Sequence, residues 1–179
     1  MTFANQLTLA RLVAVVPIMA ALYIEFPGHQ ALAVVLYVAA IATDYFDGIV
    51  ARRSGKVTGF GKLMDSIADK AVIVSLFFAL VGLGVMPAIL AAIMVVREFA
   101  VTGLRMVALE AGEVIAANSW GKAKMVAQSV AVLILLLGFV QVGFWAMIVA
   151  TVLTLISGWS YLRDTPRILA ITADRDSNL

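Results

Sequence analysis

Apolar residues gather in six long stretches, each near the roughly 20 residues that a helix needs to cross the hydrocarbon of a bilayer. The stretches run approximately over residues 7–25, 31–52, 61–81, 87–108, 122–142 and 144–162. Turn-forming residues stand between them: Pro27-Gly28, Gly82 with Gly84, and Gly143. Pro87 is placed where a helix can open on it, because its missing N–H is not needed there. Pro17 lies inside the first stretch and is expected to kink it, which membrane helices tolerate when neighbours resatisfy the freed backbone groups. The pattern predicts an all-α integral membrane protein of six transmembrane helices, folded as one domain over residues 1–179.

Composition supports a lipid setting. Hydrophobic residues make up 63% of the chain and charged residues 13%, against about 25% charged in soluble domains. The absence of cysteine excludes a disulfide frame and a thiolate metal site. The net charge of +2 says little, but its distribution says more. With both termini on the cytoplasmic side, the outer connections are residues 26–30, 82–86 and 141–143, and none contains Lys or Arg. The 13 basic residues fall in the N-terminal segment, the inner loops, the helix ends beside them and the tail, with Lys70 and Arg97 deeper. This is a positive-inside pattern.

The chemistry concentrates where the second stretch ends and the third begins. Asp44 and Asp47 are three residues apart, and Asp65 and Asp69 four apart. On helices both spacings put two side chains on one face. The short connection around residues 53–60 predicts antiparallel neighbouring helices that bring the four carboxylates together. One or two such aspartates read as helix caps or interfacial charges. Four in an apolar setting need partners. Two divalent cations balance them, and hard oxygen donors suit Mg²⁺ or Mn²⁺. Such a pair can clamp a phosphoryl group, and one carboxylate can act as general base for an attacking hydroxyl. A divalent-cation transporter is the competing class, but it calls for acids near mid-membrane and a path to both faces, whereas these acids sit at one end.

The pattern D-x2-D-G-x2-A-R-x8-G-x3-D-x3-D, complete from Asp44 to Asp69, resembles the signature of the CDP-alcohol phosphotransferases. The resemblance implies that family's six-helix membrane fold, a dinuclear metal site and a homodimer. It implies that Asp44, Asp47 and Asp65 bind metal, and that Asp69 is both metal ligand and catalytic base. Gly48, Arg52 and Thr58 match positions that contact the CDP part of the donor. A glycine there lets a nucleotide approach the backbone, and an arginine can hold pyrophosphate by charge-assisted bonds.

Three further segments resemble the bacterial phosphatidylglycerophosphate synthase branch. They are the opening with Asn5, Thr8 and Arg11, the run from Arg97-Glu98 through Thr102-Gly103 to Arg105, and Gly121-Lys122 with Lys124 and Gln128. Met125 and Ser66 depart from the branch pattern, at positions where Thr and Pro are common. The branch implies CDP-diacylglycerol as donor, with Asn5, Thr8 and Arg11 on the donor side, and glycerol 3-phosphate as acceptor. Phosphatidylglycerol and an inositol phosphate are alternative acceptors for the same chemistry. An acceptor phosphate far from the reacting hydroxyl needs a second basic site. Arg105, Lys122, Lys124 and Arg97 are the candidates, Lys as a point charge and Arg as a bidentate partner. Each read alone is equally an ordinary anchor, and Arg97-Glu98 can be a structural ion pair. His29, in an outer loop, is not expected to bind metal, and Tyr161 reads first as an interfacial residue. The location implied is a bacterial inner membrane with the active site on the cytoplasmic face, and no nucleic-acid partner is expected.

Overall fold

A computed structural model describes the backbone of residues 3–54, 59–110 and 119–176, and the side chains of residues 12–43, 70–109, 119–161 and 163. All of the described secondary structure is helical. The helices are α1 (Phe3–Tyr23), α2 (His29–Ser54), α3 (Gly59–Gly82), α4 (Ala88–Glu110), α5 (Ser119–Leu136) and α6 (Val140–Asp176). Two of them, over Ser119–Leu136 and Val140–Tyr161, are long and apolar enough to cross a membrane. Shorter apolar stretches lie at Leu12–Tyr23, His29–Thr43 and Lys70–Gly82. In α4 the apolar run is broken by Arg97, Glu98 and Arg105.

The expected breaks are shifted in one place. The last turn is not at Gly143 but at Gly138, whose φ of +86° suits a residue without Cβ. There the N–H of Gly138 bonds to the Leu135 carbonyl and that of Phe139 to the Ile134 carbonyl. This is a Schellman cap, which ends α5. Gly84, with φ +72°, closes α3 in the same way through Val81 and Leu80. Gly143 lies inside α6 instead. A Cβ there would stand 2.5 Å from Leu135 Cδ2 and 3.2 Å from the Leu135 backbone nitrogen, so this glycine permits the close α5–α6 approach. Small residues at such contacts let helices meet closely without hydrophobic drive. α6 also continues to Asp176, well past the apolar stretch, and α1 continues through Pro17.

α1 packs against both α2 and α3, α5 against α6, α4 against α6, and α2 against α5. Among the described residues, α2 and α3 each find their main partner in α1. The facing ends of α2 and α3, on which the expected meeting of the carboxylates rests, lie outside the described side chains. The core includes Ile18, Tyr37, Leu76, Phe77, Met94 and Val132. The α1–α2 corner ties three helix ends together. His29 Nδ1 donates to the Ala21 carbonyl of α1 at 3.0 Å, Tyr23 Oη to Ala79 of α3 at 3.4 Å, and Gln30 Nε2 to Leu136 of α5 at 2.9 Å. The Ala21 and Leu136 carbonyls lie near helix C-termini, where intrahelical donors run out, while the Ala79 carbonyl also accepts from the Leu83 N–H at 2.9 Å and takes Tyr23 as a second donor.

Gly143→Ala should lower stability by about 1–3 kcal/mol, as overpacking does. Gly103→Ala in α4, where no atom lies within 4 Å of the new Cβ, should be neutral or raise stability by up to about 1 kcal/mol. Thermal unfolding of the detergent-solubilised protein checks both.

Candidate active site

The described residues bring four cations and one acid together. Glu98 of α4 is ion-paired and hydrogen-bonded to Lys124 of α5. Arg97 Nη1 lies 3.5 Å from the same carboxylate oxygen. Lys70 of α3 is within electrostatic reach of both Glu98 and Lys124. Arg105 lies two turns along α4 from Arg97, and α6 joins the two arginines. Arg97 Nη2 donates to Ser157 Oγ at 2.7 Å, and Arg105 Nη2 donates to Tyr161 Oη at 3.4 Å. The Tyr161 ring faces both guanidinium groups, 5.8 Å from Arg97 Cζ and 5.5 Å from Arg105 Cζ, within the range of cation–π attraction.

Helical register explains the gathering. Arg97, Val101, Arg105 and Ala108 recur at three- and four-residue intervals on one face of α4. Lys124, Gln128, Ala131 and Leu135 are buried on one face of α5, and Met147, Ala150, Thr154, Ser157 and Tyr161 on one face of α6. Gln128 Nε2 donates to Thr154 Oγ1 at 3.1 Å, carrying the polar contact deeper into the bundle. The α6 side facing away from the core carries Trp145, Val149, Val152, Ile156 and Trp159, all large and exposed. Polar and small residues therefore face inward and large apolar ones outward, the reverse of a soluble helix.

The side chains in this cluster are largely out of solvent: 11% exposed for Arg97, 18% for Glu98 and 6% for Lys124. Removing one partner of such a pair leaves an uncompensated buried charge. The Nε of Arg97 and the Nε of Arg105 are buried with no hydrogen-bond partner among the described residues. Such unpaired buried donors are uncommon in native structures.

Of the candidate acceptor residues, Arg97, Arg105 and Lys124 lie in this cluster, and Lys122 is exposed. Lys70, Ser157 and Tyr161 complete it. Lys70 was legible only as a deeper lysine, and Ser157 carried no signal in sequence, because a serine in an apolar run marks nothing until its neighbour is known. The backbone is helical at Asp44, Asp47, Gly48 and Arg52 on α2, at Asp65 and Asp69 on α3, and at Asn5, Thr8 and Arg11 on α1. The side chains of these residues, and Thr58 altogether, lie outside the described residues. Among the described residues no group of three or more His, Cys, Asp or Glu could hold a metal ion.

The architecture is thus an all-helical bundle with a net-cationic polar cluster inside it. A model of the CDP-alcohol phosphatidyltransferase family matches residues 1–156, and the chain belongs to that family. It is 38% identical to the CDP-diacylglycerol–glycerol-3-phosphate 3-phosphatidyltransferase of Bacillus subtilis (strain 168), over 88% of this chain and 91% of that one. It is 34% identical to the protein of the same name from Rickettsia bellii (strain RML369-C), over 89% and 92%. A protein named "Probable phosphatidylglycerophosphate synthase" from Mycobacterium tuberculosis (strain ATCC 25618 / H37Rv) is 38% identical over 89% of this chain and 79% of its own.

Glu98→Gln should destabilise the fold by about 3–5 kcal/mol, the cost of stranding a buried partner charge. The double variant Glu98→Gln with Lys124→Met should recover more than half of that loss in thermal unfolding, since both members of the pair are then neutral.

Proposed function

We propose that this chain transfers a phosphatidyl group from CDP-diacylglycerol to sn-glycerol 3-phosphate, giving phosphatidylglycerol phosphate and CMP. The carrying observation is the buried cation cluster, with its two unpaired guanidinium N–H groups, set beside the helix that bears the last signature aspartates. Lys70 follows Asp69 directly on α3 and reaches the cluster electrostatically. A phosphate held there by Arg97, Arg105 and Lys124 would leave the far hydroxyl of the acceptor free to turn towards the acids. An anion accepting from the two orphan N–H groups would recover their desolvation cost, about 1–3 kcal/mol each. The names of the Bacillus subtilis and Rickettsia bellii relatives support the same donor and acceptor, and that of the Mycobacterium tuberculosis relative the same product.

The four aspartates fit a pair of divalent cations by donor chemistry: all are hard oxygen ligands, and their spacings on helical backbone keep each pair on one face. Asp44, Asp47, Asp65 and Asp69 would hold Mg²⁺ or Mn²⁺. When bound, such ions neutralise charge on the donor's pyrophosphate. The chain's own residues do the rest. Asp69 takes the proton from the 1-hydroxyl of glycerol 3-phosphate. That oxygen bonds to the phosphorus carrying diacylglycerol, and the bond from this phosphorus to the CMP oxygen breaks. Gly48, Arg52 and Thr58, with Asn5, Thr8 and Arg11, hold the donor, and Lys122 stands at the acceptor's entrance.

All six helices span the bilayer in this reading, as one catalytic domain in a bacterial inner membrane, with both termini and the site on the cytoplasmic face. The outward apolar surface supports it: Val16, Val96, Phe139 and Trp159 are each at least 60% exposed, which water would penalise and lipid does not. A homodimer is the expected assembly.

Asp69→Asn should cut transfer by at least about 100-fold, the low end for a general base, with the unfolding midpoint unchanged. The deciding assay offers glycerol 3-phosphate, phosphatidylglycerol and inositol phosphate separately to the purified protein with CDP-diacylglycerol and Mg²⁺ or Mn²⁺, read by CMP release and product mass. Only glycerol 3-phosphate should turn over, and a chelator should stop it. Turnover of another acceptor alone would overturn the assignment.

A further inference from the structure

Arg97 is held on three sides, and the α6 side does the aiming. Its Nη2 donates to Ser157 Oγ at 2.7 Å, its Nη1 faces Glu98 at 3.5 Å, and its stem lies against Gly158. A Cβ at Gly158 would meet Arg97 Cγ at 3.1 Å. Ser157 is fully buried, so its hydroxyl is not a surface group that happens to touch a mobile arginine. A guanidinium is planar with donors in a fixed fork, so fixing both Nη atoms sets the direction of the remaining Nε–H. The Ser157 bond is also the one that counters the pull of Glu98. Without it, Arg97 has Glu98 as its nearest described anion and the freedom to fold onto it. The family match ends at residue 156, one position before Ser157.

We propose that Ser157, backed by Gly158, is a positioning residue that holds the Arg97 guanidinium in the orientation for binding the acceptor's phosphate. This rests on the reading of Arg97 as an acceptor ligand. A guanidinium that has lost its aim binds phosphate less tightly, and a tenfold loss of affinity corresponds to about 1.4 kcal/mol. Ser157→Ala should therefore raise the KM for glycerol 3-phosphate about tenfold and leave the KM for CDP-diacylglycerol within about twofold, with a lower unfolding midpoint because the buried Arg97 loses an acceptor. Gly158→Ala should shift the same KM in the same direction by pressing on the arginine stem. Arg97→Lys, which removes the fork, should raise the KM for glycerol 3-phosphate by itself. Adding Ser157→Ala to it should then change nothing further, because coupled residues are non-additive.

The test uses the full-length protein in mixed micelles with CDP-diacylglycerol and Mg²⁺, measuring both KM values, kcat and thermal unfolding for the four variants. Equal rises in both KM values, an unchanged glycerol 3-phosphate KM in Ser157→Ala, or additive effects with Arg97→Lys would overturn the positioning role. A loss of unfolding midpoint without a KM shift would do the same, since it marks a merely structural serine. If Arg97→Lys itself leaves the glycerol 3-phosphate KM unchanged, the acceptor reading beneath the proposal falls.

Discussion

The pairing of Glu98 with Lys124 is the contact on which the rest of the bundle depends. Two opposite charges from different helices meet where little water reaches them. Either charge alone would be costly in so apolar a setting, so α4 and α5 cannot slide past each other without stranding one. Arg97, Lys70 and Arg105 enlarge the cluster, and their excess positive charge must be met by something else. Part of the answer is α6, whose Ser157 and Tyr161 accept from the two arginines. Four helices are thereby registered around one polar centre.

The opposite end of the bundle is held by different physics. No charge pair works there among the described residues. Tyr23, His29 and Gln30 instead reach carbonyls near the ends of α3, α1 and α5. These neutral bonds suit an end that carries no Lys or Arg in its connections. Glycines at Gly84 and Gly138 let the chain reverse within a few residues, while Gly143 lets α5 and α6 touch. With the turns at the neutral end, the acid-bearing parts of α2 and α3 fall at the same end of the bundle as the start of α1.

Much of this was open to a reading of residue order. Apolar runs and turn residues located all six helices, because helix length and breaker chemistry are local properties. Gly143 was misread as a turn, since a packing glycine and a capping glycine look alike without φ. The packing of α1 on both α2 and α3 was not legible for a related reason: a short loop constrains the ends of two helices but does not say which third helix packs on both. Arg97, Arg105 and Lys124 could be proposed from motif resemblance, yet their mutual distances could not.

The amino-acid sequence by itself determined the helical class, the apolar character, the spaced aspartates and the family, because periodicity, composition and motif spacing are written along the chain. Tertiary structure alone decided that Glu98 answers Lys124, that Lys70 joins them from α3, and that Ser157 and Tyr161 of α6 meet the two arginines. Those contacts join residues 26 to 60 positions apart. A buried charge chooses its partner by proximity after packing, and proximity after packing is not a local property of the chain.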